Sequence, residues 1–287
     1  MRVMVVMNPR AGRGRGGRLR HRVRDLLAGA GLRPTVYATE GPGHGGDLVR
    51  DHGKGFEAVV AVGGDGTLHD ILQGLDLERH VLGLVPLGTG NDFAWMNEWS
   101  ADPESCIARI AAGRERRLDI GRVDGLRFHN SIGVGFEARV NRLSHRIRGL
   151  HGAAVYLAAF LGALPGLRST PSRVEWDGGF REGPLLSASV ANGRRVGGAF
   201  VVAPDARNDD GRLDLVLTGP LSPIRFPAAA LAPLRGRAVS PDAVTAVSSW
   251  FRLLTPEGVP LYADGEFLKP SVREIRVETC PGVLRTF

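Results

Sequence analysis

With 287 residues, 43% of them hydrophobic, the chain has enough apolar content for one large core or two ordinary ones, which excludes a disordered protein. Its net charge of +7 is carried almost wholly by arginine, Lys54 and Lys269 being the only lysines, and suits anionic partners such as nucleotides, nucleic acids or acidic membrane surfaces. Cys106 and Cys280 lie far apart with no histidine or cysteine at ligand spacing, which excludes a disulfide framework and a zinc site and fits a reducing cytoplasm.

The chain opens on an apolar run, residues 1–7, that holds one arginine and lacks a small-residue cleavage site, so no signal peptide is expected. Short apolar runs at 3–7, 34–38, 58–62 and 81–86 then alternate with helix-like segments at 19–30, 46–52 and 68–75. Strand and helix in this alternation predict a parallel sheet covered by helices. Residues 102–112 form a further helix, with Asp102 as N-cap and Pro103 in its first turn.

From Arg117 the texture changes to β-branched runs separated by turn residues: 119–123, 126–132, 172–176, 185–191, 213–218, 243–254, 261–263 and 272–278. They predict an antiparallel, sandwich-like second domain. The expected division is 1–121, joined by a returning tail at 279–287, and 122–278. The longest apolar stretch, 150–164, contains His151 and is closed by Pro165 and Gly166, short of the roughly 20 residues a spanning helix needs. No transmembrane segment is expected.

Three glycine-rich clusters each follow a predicted strand. In the first, Asn8 to Gly17, a loop before a helix can turn backbone N–H groups towards phosphate. Gly12, Gly14 and Gly17 also satisfy GxGxxG, with Glu40 near where a ribose-binding acid would lie, a weak match to a dinucleotide site. The second is Gly63-Gly64-Asp65-Gly66-Thr67: consecutive glycines clear the way for a ligand, Asp65 can hold magnesium and Thr67 can donate to phosphate. The third is Gly88-Thr89-Gly90-Asn91-Asp92. Two such loops at the carboxyl ends of neighbouring strands make one crevice.

These motifs, with Asn8-Pro9, Thr39, Asp119-Ile120-Gly121, Asn130, Gly133, Gly135, Asn192-Gly193, the Asp209-Asp210-Gly211 turn and Asp264-Gly265-Glu266, resemble the bacterial diacylglycerol kinase-like lipid kinases in order and spacing. The likeness runs through nearly the whole chain. It implies an α/β nucleotide-binding domain, a β sandwich and an active site in the cleft between them. It further implies an ATP-dependent transfer of the γ-phosphoryl group to a lipid hydroxyl, converting diacylglycerol to phosphatidic acid.

By the same resemblance Asn8, Pro9, Thr39, Gly63, Gly64, Asp65, Gly66, Thr67, Gly88, Thr89, Asn91 and Asp92 form the ATP site. Asp65, Asp92 and Asp119 surround a catalytic Mg2+, and Asp210, with backbone carbonyls of Arg207 and Arg212, holds a second, structural one. An Asp-Asp-Gly turn between strands also stands without metal. Asp264 or Glu266 removes the proton from the lipid hydroxyl, although Asp264-Gly265 is equally a good hairpin turn. Glu137 stands where the family pattern expects aspartate.

The expected partners are ATP, a lipid within a membrane and an anionic membrane surface; nucleic acid is not expected, and a homodimer is compatible with such enzymes. The expected location is cytoplasmic with peripheral membrane association. Arg139, Arg142, Arg146 and Arg148, followed by residues 153–164 with Tyr156 and Phe160, make a basic and apolar contact patch or else a buried helix. The alternatives are a kinase of the same fold acting on a sphingoid base, phosphatidylglycerol or NAD, or a non-catalytic nucleotide- or nucleic-acid-binding protein. NAD is disfavoured because no Asn-Glu pair follows the second glycine loop.

Overall fold

The structure, a computed structural model, describes residues 1–147, 149–150, 153–221 and 243–287, without the side chains of residues 153 and 156. The chain divides into two compact units, one of residues 1–118 with 282–287 and the other of residues 119–281.

In the first unit β1 (Arg2–Met7), β2 (Arg33–Ala38), β3 (Ala58–Gly63) and β4 (Val81–Pro86) pair in the order β4-β3-β1-β2, all parallel. β3 and β4 are buried at all six positions, as expected of strands covered on both faces. The C-terminal residues join the same sheet, Thr286 pairing with Leu82 in parallel.

The helices are α1 (Ala11–Gly29), α2 (His44–His52), α3 (Asp65–Gly74), α4 (Asp92–Met96) and α5 (Pro103–Ala112). Asp102 caps α5 by accepting from the Ser105 N–H at 2.9 Å, with Pro103 directly behind it. α1 begins eight residues earlier than its apolar pattern suggests. Its start is broken by three successive left-handed residues, Gly12, Arg13 and Gly14. The order of connections reverses at β1, which leaves a crevice at the carboxyl ends of β1 and β3.

The second unit is antiparallel. One run of strands is β14 (Val244–Ser248), β13 (Leu213–Thr218), β10 (Ser187–Ala191), β7 (Ser131–Gly135) and the end of β15 (Trp250–Ala263). The first half of β15 pairs instead with β8 (Thr170–Trp176), which pairs with β9 (Gly179–Leu185). β15 changes partners across an irregular stretch after Leu254 that contains Pro256 and left-handed Gly258. A strand that bends between two sheets in this way closes a sandwich, and Phe128, Ile132, Leu213, Leu215, Phe251 and Leu261 lie in its core.

The expected strands at 126–132 and 243–254 are each two elements. Thus β6 (Leu126–Phe128) precedes β7, and β14 precedes β15. β16 (Glu266–Thr286) pairs back along β15, and β5 (Arg116–Val123) pairs with β6. α6 (Phe136–Ser144) and α7 (Ala153–Ala163) pack on each other between β7 and β8 in the chain. β11 (Arg195–Val196) and β12 (Phe200–Val201) form a small separate hairpin.

Candidate active site

The glycine loops of the first unit meet backbone to backbone. A Cβ on Gly64 would lie 2.9 Å from the Gly88 Cα, and one on Gly88 would lie 2.6 Å from the Gly64 Cα. No side chain fits at either position, so the two bends present main chain to whatever sits above them. The Leu87 N–H donates to the Gly63 carbonyl at 2.8 Å, which continues the β3–β4 ladder up to the loops.

Asn91 shapes the second bend. Its Oδ1 accepts from the Gly88 N–H at 2.8 Å and its Nδ2 donates to the Gly88 carbonyl at 2.9 Å, while its own backbone is left-handed. Its side chain is therefore spent on the loop. Asp65 opens α3, and its Oδ1 accepts from the Phe93 N–H at 3.3 Å in the first turn of α4, next to buried Asp92. Two of the three carboxylates expected around the catalytic Mg2+, Asp65 and Asp92, thus stand at adjoining helix starts. Thr89 is exposed and Thr39 buried; the Thr39 N–H donates to the Met7 carbonyl at 2.8 Å.

Asn8 ties β1 to α3 by donating from Nδ2 to the Thr67 hydroxyl at 3.3 Å, and its Oδ1 accepts from the Arg10 N–H. A side chain at Gly16 would clash with the Asn8 carbonyl, so glycine lets α1 pack against the end of β1. No side chain caps α3, so the N–H groups of its first turn and the positive end of its dipole face the loops. Bare main chain, an uncapped helix and two adjacent carboxylates fit a nucleotide triphosphate with its magnesium. Among the described residues no three His, Cys, Asp or Glu gather as a metal cluster.

In the second unit the remaining motifs form one buried polar knot. Asp264 and Gly265 are both left-handed and link Ala263 to Glu266 as a two-residue hairpin turn. The Asp264 carboxylate, buried, accepts from the backbone N–H groups of His129 at 3.0 Å, Asn130 at 2.8 Å and Ser131 at 3.2 Å. Asn192 donates from Nδ2 to the carbonyls of Asp119 and His129, while the Asn130 carbonyl accepts from the N–H groups of Asn192 and Gly193. The hairpin-turn reading of the Asp264-Gly265 pair therefore holds, and the same turn fixes the Asp264 carboxylate against residues 129–131. Glu266, immediately after it, is half-buried and its side chain makes no hydrogen bond or ion pair among the described residues.

Asp119 belongs to this second unit, where its Oδ2 accepts from the Gly211 N–H at 2.6 Å and its own N–H donates to the Asn208 carbonyl at 2.7 Å. The structure thus groups Asp119 with the 207–212 turn. Asp210, exposed, accepts from the Arg212 N–H at 3.0 Å, the closure of an ordinary aspartate turn.

Asp214, half-exposed beyond that turn, has its carboxyl pushed up to about 6 by burial first and then by the charges of Asp210 and Asp205. Between 3.8 and about 6 the folded state holds a proton that the unfolded chain has released, so stability falls as pH rises through that window. Water screens the half-exposed charge, and Asp214→Asn is expected to add about 1 kcal/mol at pH 7, roughly 2–4 °C in Tm, with no gain at pH 4. Thermal melts of both proteins at the two pH values check this.

Glu137, which stands where the family pattern expects aspartate, hydrogen-bonds Ser189 and the Tyr262 hydroxyl, the latter at 2.5 Å. Burial pushes its carboxyl up, against the pull of those two bonds. Its signal was the tyrosine two residues before Asp264, which periodicity alone does not connect to it.

Comparison with known proteins agrees with this arrangement. Residues 2–123 match the diacylglycerol kinase catalytic domain, and residues 130–287 match the YegS C-terminal NAD kinase beta sandwich-like domain. A probable lipid kinase YegS-like from Pseudomonas aeruginosa is 33% identical over 235 residues, which is 80% of this chain and 76% of that protein. A diacylglycerol kinase of Mycobacterium tuberculosis is 30% identical over 285 residues, 96% of this chain and 91% of that protein. The crystal structure of a putative diacylglycerol kinase from Bacillus anthracis shares the fold with a TM-score of 0.80 at 20% identity, covering 99% of this chain and 94% of that one. The paired glycine bends, the buried turn at Asp264 and both family matches lead to one assignment: the chain belongs to the diacylglycerol kinase-like family of lipid kinases.

Proposed function

We propose that this kinase moves the γ-phosphoryl group of ATP to the free hydroxyl of diacylglycerol, giving phosphatidic acid, with Glu266 as the base. The observation that carries the reading is the contrast within one turn. Asp264 has its carboxylate filled by three backbone N–H groups, whereas Glu266, two residues on, has none of its lone pairs engaged by a described residue. A base must keep a lone pair for the incoming proton, so Asp264 is the positioning residue and Glu266 the acceptor.

Asn8, Thr39, residues 63–67 and residues 88–92 hold the nucleotide, the main chain of Gly64 and Gly88 and the first turn of α3 facing its phosphates. Asp65 and Asp92 hold magnesium, which when bound neutralises charge building on the phosphate oxygens. A loose phosphoryl transition state needs little covalent help. Positioning by rigid main chain and removal of one proton are what these residues supply. Asp119 and Asp210 support the 207–212 turn, with a second ion there as a further proposal.

Among the described residues no helix is long and apolar enough to cross a membrane. The lipid is therefore reached from a membrane surface, and the excess of arginine favours an anionic one. The test offers ATP labelled in its γ-phosphate to diacylglycerol, sphingosine, phosphatidylglycerol and NAD in parallel. Label is expected on diacylglycerol; label on NAD alone, or on no acceptor, would refute the proposal.

A further inference from the structure

Helix α6 and the turn that follows it, residues 145–146, present three working faces. Glu137, Asn141 and His145, at intervals of four, grip the hairpin turn that carries the acids. Glu137 binds the Tyr262 hydroxyl, the Asn141 Nδ2 donates to the Gly265 carbonyl at 2.8 Å, and the His145 Nε2 bonds the same carbonyl at 2.7 Å. Phe136, Val140 and Leu143 face α7, with the Phe136 ring set edge-on to Phe160 at 5.3 Å. The third face holds Arg139, Arg142 and Arg146, all exposed. Arg139 reaches the Gly166 carbonyl at 2.7 Å, and Arg142 lies 5.5 Å over the Phe267 ring, next to Glu266. Arg148 lies outside the described residues, as does the side chain of Tyr156.

Helix α7 has no charged residue in its eleven. A helix apolar all round belongs in a core or a bilayer. Yet among the described side chains one stripe is packed inward and another is not: Ala159 and Ala163 are each 1% exposed, while Leu157 and Leu161, on the opposite side of the helix, are 37% and 55% exposed. Leu150, just before the helix, is 45% exposed. Three of the seven large hydrophobics that stand exposed among the described residues thus fall in this one hairpin. The buried-helix reading of this stretch holds for one stripe only. Eleven residues span about 16 Å, half of what a hydrocarbon core requires, so the helix suits the plane of an interface. The single acid of α6, Glu137, is turned inward, which leaves the exposed face cationic.

From this geometry we infer that the α6–α7 hairpin is the seat of the protein on an anionic bilayer. Leu150, Leu157 and Leu161 enter the acyl boundary, and Arg142 and Arg146 meet the headgroups. The inference rests on the lipid-kinase reading and extends it: the element that touches the membrane is also the one that holds the Gly265 carbonyl, so docking fixes the Glu266 turn at the surface where the substrate hydroxyl lies. Asn141 and His145 are positioning residues in this scheme.

The test is co-sedimentation with phosphatidylcholine vesicles made with and without phosphatidylglycerol. The wild type is expected to bind the anionic vesicles and to be released by salt. The Leu157→Ser/Leu161→Ser variant is expected to lose about a hundredfold in partition with its thermal midpoint unchanged, since both residues are exposed. Arg142→Gln/Arg146→Gln is expected to lose the preference for anionic lipid. A serine variant that binds like the wild type would overturn the docking surface.

Should that variant fail to fold, amide exchange on the wild type decides the matter: protection of residues 153–163 by anionic vesicles supports the inference, and unchanged exchange refutes it. The kinase reading fails separately. Wild-type protein that binds vesicles yet never phosphorylates a short-chain, water-soluble diacylglycerol would refute the activity and leave the docking surface standing.

Discussion

Glu266→Gln is expected to lower kcat for lipid phosphorylation by about 10²–10⁴-fold, the usual worth of a positioned general base, while ATP binding stays as in the wild type. The substitution keeps shape and volume and removes only the ability to take a proton. Because the Glu266 side chain makes no hydrogen bond or ion pair among the described residues, the change breaks no bond that the fold depends on, and the thermal midpoint should hold. Steady-state kinetics with a nucleotide-binding titration measure both halves. A variant with wild-type kcat would remove Glu266 from the mechanism, and a variant that unfolds would show that its role is structural.

Asp264→Asn should behave in the opposite way, costing the fold first and activity as a consequence. The Asp264 carboxylate has both oxygens filled by the N–H groups of residues 129–131, inside the knot that joins β7 to the β15–β16 turn. An amide offers one acceptor oxygen and sets an NH2 group against a backbone donor, leaving at least one buried N–H unpaired. Losing the charge-assisted bonds and stranding a donor is expected to cost roughly 3 kcal/mol. Denaturant unfolding measures it, with a lower midpoint and an unchanged slope as the expected result. A loss of activity at wild-type stability would instead assign Asp264 a direct part in proton transfer.

What the sequence shows and hides at these two acids follows from distance along the chain. The glycine bends were legible because their cause is local: consecutive glycines after an apolar run mark a strand giving way to a ligand loop. The α/β character of the first unit and the antiparallel character of the second were legible for the same reason, since period and β-branching act within a few residues. The Asp264 partners lie more than 130 residues away and the Asp119 partner 92 residues away, so nothing in the local pattern separates a structural aspartate from a free one.

Composition hides β9 and the start of α1. β9 reads Gly-Phe-Arg-Glu-Gly-Pro-Leu, a poor strand former held in place by its pairing with β8, and the start of α1 is rich in glycine and broken by left-handed residues. The three faces of α6 were illegible too, because hydrophobic periodicity records the stripe that meets α7 and is silent about the polar one that grips Gly265.

The most direct test of the account is a crystal structure with magnesium and a non-hydrolysable ATP analogue. The expected result has the phosphates against the main chain of Gly64 and Gly88 and the first turn of α3, with the metal on Asp65, Asp92 or both. A nucleotide bound elsewhere, touching neither residues 63–67 nor residues 88–92, would contradict the central claim that these two glycine bends are where ATP is held.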